Sequence, residues 1–140
     1  MKLEIDGDDL VVRNVRCTCF GGTNDPQDSG ETASGVPTKD PSILGVALPR
    51  RYTGRSRALI AALGDGIIPP NVPFLLPVEI TELSTGKKFT APFIDVGPAT
   101  HTGNGLDVTV AVARKFNPRA SATNFEMRCD YRVIGGARFV

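Results

Sequence analysis

The chain has 140 residues, 41% hydrophobic and 22% charged, and 16 Lys+Arg against 15 Asp+Glu give a formal net charge of +1. That length is one domain's worth of chain, the balance excludes long disorder, and the lack of a basic excess argues against nucleic acid as a partner. Fifteen Gly and eleven Pro with no Trp favour short strands and turns over a helical bundle. No window approaches the roughly 18 apolar residues of a membrane span. The start, MKLEIDGDDLVV, is acidic and lacks an apolar signal-peptide core. A processed chain would have lost such a segment, so the compartment stays open.

Leu10 to Cys19 alternates loosely, is rich in Val and reads as a strand. Cys17 and Cys19 then face one side, a poor geometry for a mutual bridge. A Cys17–Cys129 or Cys19–Cys129 bridge would leave one thiol over; three reduced, buried cysteines are the expectation. Gly21 to Gly35 is nearly all turn residues and reads as a surface loop. The apolar run ILGVAL follows, as a buried strand or an irregular segment. RALIAAL (Arg57–Leu63) has the best helix propensity in the chain, with Gly64 as its stop. Phe74 to Leu83 and Lys88 to Val96 read as strands around a turn at Ser84–Lys87, and Pro77 and Pro92 suggest edges or bulges. Gly97 to Gly105 is a second loop. Thr109 to Phe116 can be helical, with Asp107 as its N-cap. Asn117 to Ala122 is a turn, and Phe125 to Ile134 reads as the last strand. The expected fold is all-β, a small six-stranded barrel with two short helices. It is one domain over residues 1–140, its core at about 10–134 and an insertion at about 50–72.

Four motifs recur in a telling order: Cys19-Phe20-Gly21-Gly22; Thr32-Ala33-Ser34-Gly35; Asp95-Val96-Gly97-Pro98; and Gly105-Leu106-Asp107-Val108-Thr109 before Ala111 and Ala113. With Leu48-Pro49 or Val72-Pro73 and the turn Thr85-Gly86-Lys87, they resemble the double-psi β-barrel of rare lipoprotein A-like proteins. They are also similar to its triple-aspartate branch, which includes membrane-bound lytic transglycosylase A. The likeness spans about residues 17–116. Rare lipoprotein A-like enzymes place a Glu directly after T-A-S-G, where this chain has Val36. Their His before the L-P element has no counterpart among Gly45, Val46 and Ala47. The departures leave open the triple-aspartate type of activity, or a barrel that binds glycan without cutting.

The resemblance implies cleavage of peptidoglycan glycan strands, with a bacterial cell-envelope location if the chain is exported. Asp107 would be the acid/base and Asp95 its helper. Two carboxylates held close cannot both ionise easily, so one is raised and can protonate a glycosidic oxygen. As base, the same group would deprotonate the C6 hydroxyl of N-acetylmuramic acid and close a 1,6-anhydro ring. Thr32, Ser34, Gly97 and the lone His101 are candidate substrate contacts. Structural duties stand beside each role: Asp107 as a helix cap, Asp95 as a loop tie, Thr32 and Ser34 as loop fixers, Gly97 as a turn former and His101 as loop decoration. Arg50, Arg51, Arg55 and Arg57 form a solvated face or meet an anionic glycan or partner protein.

Cys17-x-Cys19 is not a zinc or redox spacing, and there is no Walker loop or dinucleotide fingerprint, so neither metal nor cofactor is expected. The alternatives to cleavage are a non-catalytic, expansin-like glycan-binding barrel and a phage or secretion assembly component. The latter would carry an apolar contact surface around Ile67–Phe74. The sequence does not fix the oligomeric state.

Overall fold

The computed structural model describes residues 3–21, 32–37, 40–50, 66–98 and 104–140. Seven strands follow in chain order: β1 (Leu3–Asp6), β2 (Asp9–Phe20), β3 (Val46–Leu48), β4 (Pro77–Glu82), β5 (Lys88–Val96), β6 (Leu106–Thr109) and β7 (Glu126–Val133). Helix α1 (Val110–Phe116) continues directly from β6, and a 3-10 turn (Gly136–Phe139) follows β7. The hydrogen-bonded order is β1-β2-β6-β3-β5-β4-β7, and β2 also pairs with β7. That last pairing closes six strands into a barrel and leaves β1 as an addition outside it. The expected all-β barrel is thus present, and two of its pairs, β2–β6 and β3–β5, are parallel. The expected helix at Arg57–Leu63 lies outside the described residues. No described helix is long and apolar enough to cross a membrane.

Strand β2 is long because it serves two sets of neighbours. Its first four residues pair with β1 and its last four with β6, while β7 runs alongside Leu10 to Thr18. Between them the register with β7 shifts from Val12 to Val15. Asn14 sits in this bulge at φ 54, a left-handed conformation that Asn tolerates better than bulkier residues. Its N–H donates to Asp130 Oδ1 at 2.7 Å, and its carbonyl accepts from Arg128 at 2.9 Å.

Alternation along the strands builds the core. Leu10, Val12, Val15, Cys17 and Cys19 of β2 meet Val46 and Leu48, Val78 and Ile80, Ala91 and Phe93, Leu106 and Val108, and Met127, Cys129, Tyr131 and Val133. Ile68 and Val72, from the segment expected to be an insertion, are fully buried in the same core. All three cysteines are buried, and none is in a disulfide. Burial, followed by the neighbouring Cys129 thiol, pushes the Cys17 thiol well above its usual range. These are packing residues rather than nucleophiles.

Charged pairs brace the first hairpin against the far end of β7. Asp9 accepts from the Gly135 N–H at 2.8 Å and from Arg132 at 2.8 Å, and Arg132 also reaches Asp6 at 2.8 Å. The Gly135 amide and then Arg132 hold the Asp9 carboxyl below its usual range. A depressed folded pKa stabilises the fold above the unfolded value of about 3.9 and loses that contribution as pH falls through the lower folded value. The stability gap between wild type and Asp9→Asn is therefore expected to be constant above about pH 5 and to close towards about pH 2. Urea midpoints measured across that range check it.

Candidate functional site

Strand register decides how the two candidate carboxylates meet. Asp95 lies on β5 and Asp107 on β6, with β3 between them. Ala47 is the register partner of both, and Thr18 of β2 stands beyond Asp107 in the same row. Thr18 and Asp107 are flanked by Cys17, Cys19, Leu106 and Val108, and Ala47 by Val46 and Leu48, all in the core; the register shift between Val46 and Ala47 lets β5 bury both Phe93 and Ile94, so Asp95 joins the outward row Thr18–Asp107–Ala47–Asp95. Two strand spacings, roughly 9–10 Å, separate the backbones of Asp95 and Asp107. Ala47 between them is only 3% exposed, so the surface is closed over at that point.

Each carboxylate has hydrogen-bond work in this position. Asp95 Oδ1 accepts from the N–H of Ala33 at 3.0 Å and of Val96 at 2.8 Å. It thereby ties the Thr32–Val36 loop to the end of β5, helped by the Ser34 N–H, which donates to the Ile94 carbonyl at 3.2 Å. Asp107 accepts from the Thr18 hydroxyl across the parallel β2–β6 pair. The expectation that Asp107 caps the following helix is corrected: it lies inside β6, and the N-cap of α1 is Thr109. The strand runs without a loop into the helix, which moves the cap two residues along. Thr109 Oγ1 makes no cap bond of its own; it accepts from the Gly45 N–H at 3.1 Å, while the Thr109 N–H donates to the Gly45 carbonyl at 3.0 Å.

The remaining candidates serve the loops. Thr32 Oγ1 donates to the Val36 carbonyl at 2.8 Å and lies 2.9 Å from Ser34 Oγ. Gly97 adopts φ +143, a region that favours glycine, and its N–H donates to the Leu48 carbonyl at 3.0 Å. His101 lies outside the described residues. The structure therefore places Thr32, Ser34, Asp95 and Gly97 around one end of β5, with Asp107 two strands away.

Thr18 and Ala47 escaped the sequence reading. Outward alternation on β2 was the available signal for Thr18, and nothing short of the strand register marks Ala47. On another part of the outer surface, a depression of about 200 Å³ is lined by residues that include Arg13, Glu79, Lys88, Asp130 and Arg132. Its charges pair with one another or with neighbours: Lys88 with Glu79 at 3.7 Å, Arg13 with Asp130 at 3.9 Å, and Arg132 with Asp6 and Asp9.

Replacing Asp95 by Ala removes one acceptor shared by two amides. The expected loss is about 1–3 kcal/mol, together with faster hydrogen exchange at the Ala33 amide. Asp95→Asn keeps an acceptor oxygen and is expected to recover most of both. Amide exchange with a denaturation curve for each variant checks this.

No protein-family model matches the chain, and no curated protein matches it in sequence. Among solved structures it is similar to a Streptomyces papain inhibitor, SPI, with a TM-score of 0.51 and 17% identity, over 88% of this chain and 94% of that one. SPI has a double-psi β-barrel fold. At this identity the likeness speaks for the fold, and it agrees with the closed six-strand barrel and its two parallel pairs: this chain is an all-β protein built on a double-psi β-barrel.

Proposed function

We propose that this chain is a non-catalytic barrel that acts by binding another protein. The observation that carries the reading is the use made of the two carboxylates. Asp95 holds two backbone amides and Asp107 holds the Thr18 hydroxyl. They stand apart in an outward row, with a buried alanine between them. A general acid for glycoside cleavage needs a carboxyl free to meet the glycosidic oxygen, with its partner placed across the scissile bond. This arrangement instead spends both groups on holding loop and strand. The T-A-S-G and D-x-G-P motifs that resemble rare lipoprotein A-like and triple-aspartate proteins are then marks of the barrel, since Asp95 and the Thr32–Val36 loop pin each other. Val36, in place of the family Glu, fits the same reading.

Similarity to a papain inhibitor makes a papain-type cysteine peptidase the first protein partner to test. Papain assayed with a fluorogenic peptide and increasing amounts of the chain is expected to lose activity in a saturable way. An unchanged progress curve, with no binding by calorimetry, would remove cysteine peptidases as the partner. Glycan cleavage by the chain would overturn the non-catalytic reading.

A further inference from the structure

Arg50 stands just past the end of β3, where its backbone bridges to Ile68. Of the cluster Arg50, Arg51, Arg55 and Arg57, it alone is among the described residues. Its guanidinium carbon lies 4.3 Å from the Phe74 ring centroid and 5.7 Å from that of Phe93, a ring wholly removed from water. Nη1 donates to the Val72 carbonyl at 3.2 Å. Nε is buried and donates to nothing, whereas Nη2 is neither bonded to a described residue nor enclosed.

This guanidinium lacks the counterpart that other arginines of the chain have. Arg13, Arg16, Arg132 and Arg138 each pair with a carboxylate; Arg50 pairs with none among the described residues. The two rings attract its charge but leave the Nε–H bond unmade. A buried donor without an acceptor is costly, and a bound anion is one of the few things that explains it. The bond to Val72 occupies Nη1 and leaves the parallel Nε–H and Nη2–H pair. That edge of the guanidinium fork meets both oxygens of one carboxylate.

We propose that the Nε/Nη2 edge of Arg50, held on the rings of Phe74 and Phe93, is a carboxylate-binding site that takes an acidic side chain of the partner protein. This rests on the protein-binding reading above. The single positive charge matches a monoanion. The ring platform and the Val72 bond fix the plane of the fork before the ligand arrives, which favours a planar, two-oxygen group. One fork holds a free carboxylate weakly. A carboxylate carried by a docked protein has most of its freedom already spent, so the same contact then adds fully to affinity. Rejection of the uncharged amide follows, because it cannot accept both bonds and leaves the guanidinium charge unpaired.

Two measurements test it. In the first, the Arg50 Nε–H resonance of the full chain is followed by NMR as acetyl-Gly-Glu-Gly-amide is added. Acetyl-Gly-Gln-Gly-amide, acetyl-Gly-Gly-Gly with a free C-terminus and inorganic phosphate serve as comparisons. The glutamate peptide is expected to move this resonance saturably and to bind at least tenfold more tightly than the glutamine peptide. No movement, or equal binding of the two peptides, would overturn the proposal. Binding of the free C-terminus without binding of the glutamate peptide would overturn the side-chain assignment, and tighter binding of phosphate would overturn the carboxylate class. This measurement uses the unsubstituted chain, so it stands whether or not a variant folds. In the second, papain is titrated into the wild type and into Arg50→Lys, which keeps the charge and loses the fork, with folding confirmed from the amide spectrum. Binding at least tenfold weaker in Arg50→Lys is expected. Equal papain binding by the folded variant would sink this site and leave the protein-binding reading standing. A glutamate-dependent shift without papain binding would keep the site and discard the peptidase as partner.

Discussion

Phe93→Ala is expected to lower the unfolding free energy by about 3–5 kcal/mol, the largest effect of any substitution considered for this barrel. Phe93 is fully buried near the middle of β5, opposite Val46 of β3. Its ring meets Phe74 with centroids 4.9 Å apart, and the Arg50 guanidinium lies 4.3 Å from the Phe74 centroid and 5.7 Å from that of Phe93. Arg50 also donates to the Val72 carbonyl at 3.2 Å. One ring therefore supports β5, the end of β3 and the approach to β4 together. Its removal leaves a cavity that a closed sheet cannot collapse to fill. Phe93→Leu keeps much of the volume and is expected to cost less than half as much. Guanidinium denaturation checks both, with the slope unchanged if the variants remain two-state.

Gly45→Ala is the second, at about 1–3 kcal/mol for forcing one methyl into a packed site. A Cβ at Gly45 would lie 2.3 Å from Ile94 Cδ1 and 2.6 Å from Ile94 Cγ1, and Ile94 is itself buried. The backbone cannot easily retreat, because the Gly45 N–H and carbonyl are both bonded to Thr109 at the start of α1. Ile94→Val removes the atom that clashes most. The penalty of Gly45→Ala is therefore expected to shrink in the Ile94→Val background, and a double-mutant cycle on unfolding free energies reads the coupling directly. Ile94 immediately precedes Asp95, so the same cycle reports how the tie to the Thr32–Val36 loop is held in place.

The main strands of the barrel are legible in the sequence because each alternates or is bounded by turn residues. Leu10–Cys19, Phe74–Leu83, Lys88–Val96 and Phe125–Ile134 lie within a few residues of β2, β4, β5 and β7. Three strands are harder to read. Strand β1 has four residues, and of its two alternating apolar residues only Leu3 is buried while Ile5 is exposed, so its apolar signal is short and half of it faces water. Strand β3 is three residues inside a longer apolar run. Strand β6 gives way to α1 without a turn, and a local reading therefore takes Asp107 for the cap that Thr109 occupies.

The candidate site divides the same way. Asp95, Thr32, Ser34 and Gly97 stand out because loop chemistry is local: short polar side chains and glycines satisfy nearby backbone groups. The relation between Asp95 and Asp107 depends on which strands become neighbours. Only the insertion of β3 between β5 and β6, with Ala47 opposite both, reveals that the two carboxylates share a face without being adjacent. Leu75, 64% exposed while Phe74 and Leu76 pack against the core, was hidden for another reason. Nothing in PFLLPV distinguishes the leucine that turns outward from the one that packs, since that choice follows from the hydrogen bond between Leu75 and Phe93.

The central claim is that Asp95 and Asp107 hold the barrel together and do no acid–base chemistry. Mass spectrometry of purified peptidoglycan incubated with the wild-type chain tests it most directly, with Asp107→Asn alongside and both proteins confirmed as folded. The expected result is an unchanged glycan for both, with neither 1,6-anhydro ends nor new reducing ends. Anhydro products from the wild type that disappear in Asp107→Asn at unchanged melting temperature would contradict the account and make Asp107 the acid/base of a lytic transglycosylase.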